Sequence, residues 1–516
     1  MSTPASDRAD TAPATVDDPR QRRQILMAVC VALMAVIASV SGLNVAQSQV
    51  AVELGASQST VLWIINAYTV TLAALLLPLG AAGDRWGRKP MLLTGLAVFA
   101  VANVVAVAAP SVEVLLLARV LSGVGAAVIM PITLAVITST FPEEERAKGI
   151  GVWTAVGGGG GILGMFLSAA LVDLGSWRLL FVLPLALVAI AFVVARRAVP
   201  DSRERPEHGF DAVGSLASAV GIVGLVTALH EGPVHGWLAP LTVAGAGAGV
   251  VGIGVFAAWQ LRRRGPLLDL RMFRSRALSS GSLSLLGVFG VQAGILVVLF
   301  PYFQAVLGWS GLVSTLGFMP MAILMMASAG LAPRLSAGVG LRSTMLGGIL
   351  MFAGGLASLA LMASADGGYL SVLPGMLIMG VGMGLAMTPA TEAITGALPR
   401  AQQGVASALN DVTRELGTAM GVALLGAVLS AGYRSAIEPR LEGIPADTAD
   451  AAREGIANAI AAAHGAGAAA DSLVRIAQES FVSGWQQAMW AGVAVMVLLF
   501  VYVALRGVGP RPARRG

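Results

Sequence analysis

Five polar side chains interrupt one apolar stretch near the end of the chain: Ser407, Asp411, Arg414, Glu415 and Thr418. Their i, i+4, i+7, i+8, i+11 spacing puts them on a single helical face. Just upstream, Thr388, Thr391, Glu392 and Thr395 line a second face beside Pro389, a residue able to kink a helix. In the N-terminal half one ionisable residue, Arg119, stands well inside an apolar run. An ionisable group at the centre of a membrane helix costs about 2.5–3.5 kcal/mol on the insertion scale, so such residues mark function by default. Desolvation favours the protonated form of a carboxyl. Glu392 and Asp411 are therefore candidate proton carriers, with Arg414 setting their affinities and Glu415 a candidate lining residue of a substrate cavity. The alternative is an ion-pair lock closing the cytoplasmic gate, with Asp84 near the N-terminus of the thirteenth helix. One residue can serve both.

The elements that carry these residues follow from composition. The chain of 516 residues is 56% hydrophobic and only 12% charged, with mean hydropathy +0.80. Those values describe a membrane protein. At about 20 apolar residues per crossing, with loops placed at charge clusters, the sequence predicts fourteen transmembrane helices. The first lies near 25–48, the fifth near 149–172, the thirteenth near 406–432 and the last near 484–506. The fold class is all-α: two six-helix bundles related by a pseudo-twofold, plus a central inserted helix pair. The predicted division is a disordered tail at 1–24, a first bundle at 25–200, a linker with two extra helices at 201–277 and a second bundle at 278–506. The second bundle includes a loop at 433–483, and a tail at 507–516 closes the chain.

Charge orients the stack. Between two apolar runs lies the loop from Gly80 to Lys89, in which Asp84, Arg85, Arg88 and Lys89 crowd into six residues around Gly87. A turn this charged belongs at the water surface, and short loops rich in Lys and Arg stay cytoplasmic. All but seven of the 33 Lys and Arg fall in the two tails and in alternating loops. The seven are Arg119, Arg178, Arg414, Arg434, Arg440, Arg453 and Arg475, and the last four sit in the long 433–483 loop, which crosses regardless of charge. Both termini are thus expected in the cytoplasm of a cell with a multi-pass inner membrane protein. The pI of 9.9 reflects this asymmetry and calls for no nucleic acid, since no segment is long and polar enough to fold as a nucleic-acid-binding module.

The remaining reactive residues point to no catalytic or metal chemistry. Cys30 is the lone cysteine and lies in the first helix, where it reads as a small packing residue. His208, His230, His235 and His464 are scattered and suggest no metal site. No phosphate-binding loop is present, so the expected energy source is a proton gradient and no cofactor is expected. The polar opening residues lack the apolar core and cleavage site of a signal peptide. Gly157 to Gly161 lies within an apolar helix, where glycines allow close helix packing.

The loop containing Gly80, Asp84, Arg85, Gly87, Arg88 and Lys89 resembles the one between helices two and three of the major facilitator superfamily, with Ala82 where that family usually has Leu. The stretch Pro333–Arg342 resembles a worn second copy that keeps Gly340 and a basic end but has lost the Asp. The six-plus-two-plus-six layout is similar to the fourteen-helix drug:proton antiporter branch. So are Trp63-Ile64-Ile65-Asn66-Ala67-Tyr68, Pro266-Leu267-Leu268-Asp269-Leu270-Arg271 and, most specifically, Gly404-Val405-Ala406-Ser407-Ala408-Leu409-Asn410-Asp411 continuing to Arg414-Glu415-Leu416-Gly417. Arg119-Val120-Leu121-Ser122-Gly123 resembles the fourth-helix pattern R-x-x-q-G, which implies a role for Arg119 in proton or substrate coupling. The alternative is an arginine that braces helix four against helix one through backbone carbonyls or Asn44. The resemblance also places Asn44, Asn66 and Tyr68 at the substrate cavity.

The chain departs from that branch where it matters. The first-helix pattern D-x-T-x-x-N-V-A-L-P reads here Ser39-Val40-Ser41-Gly42-Leu43-Asn44-Val45-Ala46-Gln47-Ser48, so its Asp has become Ser39. The fifth-helix pattern keeps Gly160 and Gly164 but loses its Pro and final Gly pair. Without an acidic partner in its half, Arg119 disfavours a cationic substrate nearby and favours an anionic one. The resemblance implies a monomeric secondary exporter of amphipathic organic compounds, drugs or antibiotics, exchanging them for protons. The alternatives are an exporter or facilitator of an anionic metabolite, with or without proton coupling, and a membrane sensor that has lost transport. The charge pattern makes one prediction on its own. In a Cys30→Ala protein, a new cysteine between 433 and 483, for instance at Ala449, reacts with a membrane-impermeant maleimide in intact cells; protection there with reaction only after lysis would reverse the topology.

Overall fold

The computed structural model describes residues 15–173, 175–201, 209–442, 444–463 and 470–507. The N-terminal half comprises α1 (Pro19–Val45), the short α2 (Gln47–Leu54), α3 (Gln58–Trp86), α4 (Arg88–Val107), α5 (Val112–Thr140), α6 (Glu143–Asp173) and α7 (Leu179–Ala198). The central pair is α8 (Ala212–His235) and α9 (Pro240–Arg262). The C-terminal half comprises α10 (Arg276–Pro301), α11 (Gly311–Val339), α12 (Leu341–Met362), α13 (Leu373–Ala397), α14 (Gln403–Ile437), the short α15 (Ala446–Glu454) and α16 (Ile456–Ala463), and α17 (Ala470–Arg506). Fourteen of these are long and apolar enough to cross a membrane, and no strand occurs among the described residues.

The two halves pack by one scheme. In the first, α1 lies against α6 and α7, α5 against α3 and α4, and α4 against α7. In the second, α10 lies against α14 and α17, α13 against α11 and α12, and α12 against α17. Exchanging α1, α3, α4, α5, α6 and α7 for α10, α11, α12, α13, α14 and α17 maps one set onto the other. The same exchange maps the two main seams between halves, α3 on α14 and α6 on α11, onto each other. This is the pseudo-twofold expected from sequence.

Several predicted boundaries move. The loop from Gly80 to Lys89 is helical up to Trp86 and again from Arg88, which leaves Gly87 alone to make the turn at φ 99°, ψ 136°. A side chain would strain that backbone. Gly340 makes the equivalent turn between α11 and α12 at φ 92°, ψ 152°, so the worn copy retains the geometry as well as the glycine. The predicted loop at 433–483 is largely helical: α14 runs on to Ile437, α15 and α16 follow, and α17 begins at Ala470 instead of near 484. Hydropathy marks the portion of a helix in lipid, and at about 1.5 Å per residue a helix of 37 residues far exceeds the ~30 Å hydrocarbon core. The overhang is held by Tyr433 Oη donating to the Ala452 carbonyl at 2.8 Å and by the Arg453–Glu438 and Arg440–Glu479 pairs. Ala449 is only 3% exposed there, so Ala446, at the exposed start of α15, is the better labelling position. Upstream, α1 starts at Pro19, capped by Asp18, and Val16 donates its N–H to the Thr140 carbonyl. The remainder of the predicted tails, at 1–14 and 508–516, lies outside the described residues.

The central pair is a tight hairpin. Gly221 meets Gly252, and Gly224 meets Gly245 and Gly249, backbone to backbone. The buried Asp211 ties the open ends, its carboxylate accepting from Gly214 N, Trp259 Nε1 and Gln260 Nε2 and pairing with Arg263 at 3.1 Å. Burial pushes its pKa up, but those hydrogen bonds and the arginine outweigh it and leave the carboxyl below its ordinary range.

Lipid tails are as apolar as leucine, so association of these helices rests on close packing of small residues. At the α10–α14 contact a methyl group on Gly421 would lie 1.7 Å from the Gly290 carbonyl oxygen, whereas one on Gly426 would meet nothing within 4 Å. Gly421→Ala is expected to destabilise by about 1–3 kcal/mol or more, while Gly426→Ala leaves the melting temperature unchanged or slightly raised. Equal melting temperatures for the two variants would contradict this packing.

Candidate functional site

Where α14 begins, its residue Gln402 makes no side-chain cap, and the first N–H groups of a helix need acceptors. Asp84, from the far end of α3, supplies them. Its Oδ1 accepts from Gly404 N at 2.8 Å and its Oδ2 from Val405 N at 3.1 Å. Arg88, on the other side of the Gly87 turn, pairs with Asp84 at 3.0 Å and donates to the Arg400 carbonyl at 3.1 Å. Asp84 is 8% exposed and Arg88 1%. The approach depends on small residues: a methyl on Gly80 would lie 2.6 Å from the Gly404 oxygen and from Ala408 Cβ. Arg85 and Lys89 are half-buried at this basic end, and exposed Trp86 stacks on Phe210 ahead of α8. The other seam closes at the same end, where Gly151 of α6 faces Ala329 and Pro333 of α11.

Deeper in the first half, Arg119 is wholly buried. Its Nη1 donates to Ser39 Oγ at 3.0 Å and to the Ser39 carbonyl at 3.3 Å, and its Nε donates to the Ile64 carbonyl at 3.3 Å. Its guanidinium lies 4.3 Å from the Tyr68 ring centre. Arg119 thus braces α5 against α1 and α3, and its partner is the very serine that replaces the family's aspartate. Its Nη2 has no hydrogen-bond partner. Tyr68 is equally buried, its hydroxyl donating to the Val36 carbonyl at 3.2 Å. In this conformation it packs between helices. Asn66 is half-buried on α3. The side chain of Asn44 lies outside the described residues.

On α14, Ser407, Asp411 and Arg414 are buried, and Glu415 and Thr418 are half-buried. Arg414 Nη1 lies 3.6 Å from Asp411 Oδ1, which also accepts from Asn410 Nδ2 at 3.3 Å. Asp411 Oδ2 is buried with no hydrogen-bond partner. Glu415 stands within electrostatic reach of Arg414 and of Tyr68 on α3, and Tyr68 is also within reach of Arg119. Glu392 is half-buried on α13, a turn beyond Pro389, while Thr388 donates to the Ala329 carbonyl and joins α13 to α11. The structure therefore brings Asp411, Arg414 and Glu415 together and pairs Arg119 with Tyr68. Sequence reasoning missed the company of Arg414. Trp153 and Phe289 lie within cation–π reach of its guanidinium, and Gly157, first of the glycine run, clears the space beside it. Buried aromatics in apolar helices carry no sequence signal that separates them from ordinary packing.

Comparison with known proteins fits this geometry. Residues 27–422 match the model of the Major Facilitator Superfamily. The chain belongs to that superfamily. It is a multi-pass membrane transporter. It is 29% identical over 468 residues to the multidrug resistance protein Stp of Mycobacterium tuberculosis, covering 89% of this chain and 87% of Stp. It is 32% identical over 453 residues to the puromycin resistance protein pur8 of Streptomyces alboniger, covering 87% and 89%. Its fold is similar to that of the human organic anion transporter MFSD10, with a TM-score of 0.61 at 14% identity over 93% of this chain and 99% of that one.

The turn between α3 and α4 thus delivers a helix cap across the seam. Asp84→Asn removes the ion pair with Arg88 and presents an amide to N–H groups that need acceptors. A lost charged hydrogen bond of this kind costs about 1–3 kcal/mol. In a Cys30→Ala protein, a cysteine at buried Ala408 is expected to react with maleimide about fivefold faster or more once Asp84→Asn is added; an unchanged rate would show that the cap does not hold the seam.

Proposed function

We propose that this protein is a secondary active exporter that moves amphipathic organic compounds, drugs or antibiotics, out across the bacterial inner membrane in exchange for protons. Both termini and the basic end face the cytoplasm in this reading. The observation that carries it is the similarity, over almost nine-tenths of the chain, to bacterial proteins named for multidrug and puromycin resistance. The charge pattern of the loops supports the orientation. Proton exchange is supported by Asp411, a buried carboxylate with one oxygen unpartnered and a guanidinium at 3.6 Å, and by Glu392 on the neighbouring apolar helix. A carboxyl so placed can gain or lose a proton as the halves move and water reaches it. The substrate is a small molecule, the energy source the proton gradient, and the working unit a monomer.

The anionic-metabolite alternative drew on an Arg119 facing the cavity without compensation. The Arg119 charge is instead spread over Ser39, two carbonyls and the Tyr68 ring, which weakens the case for it as an anion receptor.

Neutralising a proton carrier should separate driving force from exchange, because a permanently neutral side chain mimics the protonated state. In inverted membrane vesicles, Asp411→Asn or Glu392→Gln is expected to reduce transport driven by an imposed pH gradient to background while exchange of labelled for unlabelled substrate persists. Variants of both residues that still respond fully to the gradient would refute the assignment of the proton path to the second half.

A further inference from the structure

The surroundings of Arg414 deepen the export reading and rest on it. Trp153 belongs to α6 in the first half, Phe289 to α10 in the second. The guanidinium carbon lies 5.5 Å from the Trp153 ring centre and 4.4 Å from that of Phe289, both within the ~6 Å reach of a cation–π contact. Its hydrogen bonding is thin. The Asp411 pair is long at 3.6 Å, Nε has no hydrogen-bond partner, and Asp411 Oδ2 is likewise unpartnered. A methyl on Gly157 would lie 3.5 Å from Nη1 and 3.6 Å from Nη2, so the glycine keeps one side of the site open. Trp153, by contrast, is fixed independently, its Nε1 donating to Thr133 Oγ1 at 3.1 Å. The Trp153 ring is anchored, whereas the cation beside it sits on a long, flexible stem.

We infer that Trp153 and Phe289 form a clamp for the cationic group of an organic substrate, filled in this conformation by Arg414 as an internal stand-in. A quaternary or delocalised cation offers the rings what the guanidinium offers, a weakly hydrated positive charge. When such a substrate enters, Arg414 is displaced toward Glu415, the half-buried carboxylate next along the helix. Charge count favours the exchange. Asp411 and Glu415 together oppose one Arg414, which leaves one negative charge for a monovalent cation to match. Arg119 is anchored elsewhere, donating to Ser39 and Ile64 in the first half and lying over the Tyr68 ring. Since the rings belong to different halves, a rocking motion of the halves makes and breaks the clamp, and the returning guanidinium expels the substrate.

The test uses the purified full-length protein with two probes of similar shape, the tetraphenylphosphonium cation and neutral triphenylphosphine oxide, with binding measured by equilibrium dialysis and melting temperature recorded for each variant. Phe289→Leu changes no charge. It is expected to weaken binding of the cation about tenfold, leave the neutral probe unaffected and be rescued by Phe289→Tyr. Arg414→Gln removes the competitor and is expected to tighten binding of the cation about tenfold. Equal effects of Phe289→Leu on both probes, weaker cation binding in Arg414→Gln, or no cation binding by the unmodified protein would each overturn the clamp. Export is scored separately in vesicles. A protein that binds the cation as described but exports no organic compound would leave the clamp standing and sink the export reading, whereas export of neutral compounds without cation binding would do the reverse.

Discussion

The approach of α3 to α14, carbonyl of one glycine against the position a side chain would occupy on the other, sets the terms for the rest of the molecule. A methyl on Gly404 would lie 2.2 Å from the Gly80 oxygen and 2.9 Å from the Asp84 carboxylate. Because neither residue has a side chain, Asp84 reaches the first N–H groups of α14 directly, in a setting where water is scarce and an unmet N–H is costly. The negative charge also sits where a helix N-terminus favours it. One carboxylate therefore joins the halves, caps a helix and holds Arg88 in place.

The pseudo-twofold shows what is particular to this seam. Gly80 and Pro333 occupy matching places before the turn glycines Gly87 and Gly340, and each meets the opposite half. At the second seam the contact is apolar, Gly151 against Ala329 and Pro333, and the residue in the place of Asp84 is Ala337. The two seams share a shape, but the carboxylate that caps a helix stands at the first, with Ala337 in its place at the second. A device sensitive to ionisation and helix capping is thus confined to the end of the bundle where α14 starts, and the buried charges on α14 lie on the same rigid rod two to three turns further in. Movement at the cap and movement at Asp411 and Arg414 are coupled by the helix that carries them.

Much of this was legible in residues. The fourteen apolar runs, the duplicated turn and the polar face of Ser407, Asp411, Arg414 and Glu415 all follow from spacing, because helix periodicity and lipid thickness leave few choices. The possibility that Asp84 meets the N-terminus of the thirteenth spanning helix was also open to sequence, since the charge had to find a partner. Helix ends were not, because overhanging segments such as Ala470 to Ser483 leave the lipid yet remain helical. Nor was the bracing of Arg119 by Ser39, where a hydroxyl and two carbonyls stand in for the absent carboxylate, or the burial of Tyr68. Those depend on which helices touch, and periodicity records only which face is polar.

The central claim is that backbone contact at Gly80 and Gly404 keeps the basic end closed. Its most direct test is a distance measured across that end by pulsed electron paramagnetic resonance. Spin labels are placed at exposed Thr94 on α4 and exposed Ala401 before α14, in a Cys30→Ala background. The unmodified seam should give one dominant short distance, and Gly404→Ala, which inserts a methyl where no room exists, should shift the distribution to a longer one. An identical distribution in Gly404→Ala would contradict the account.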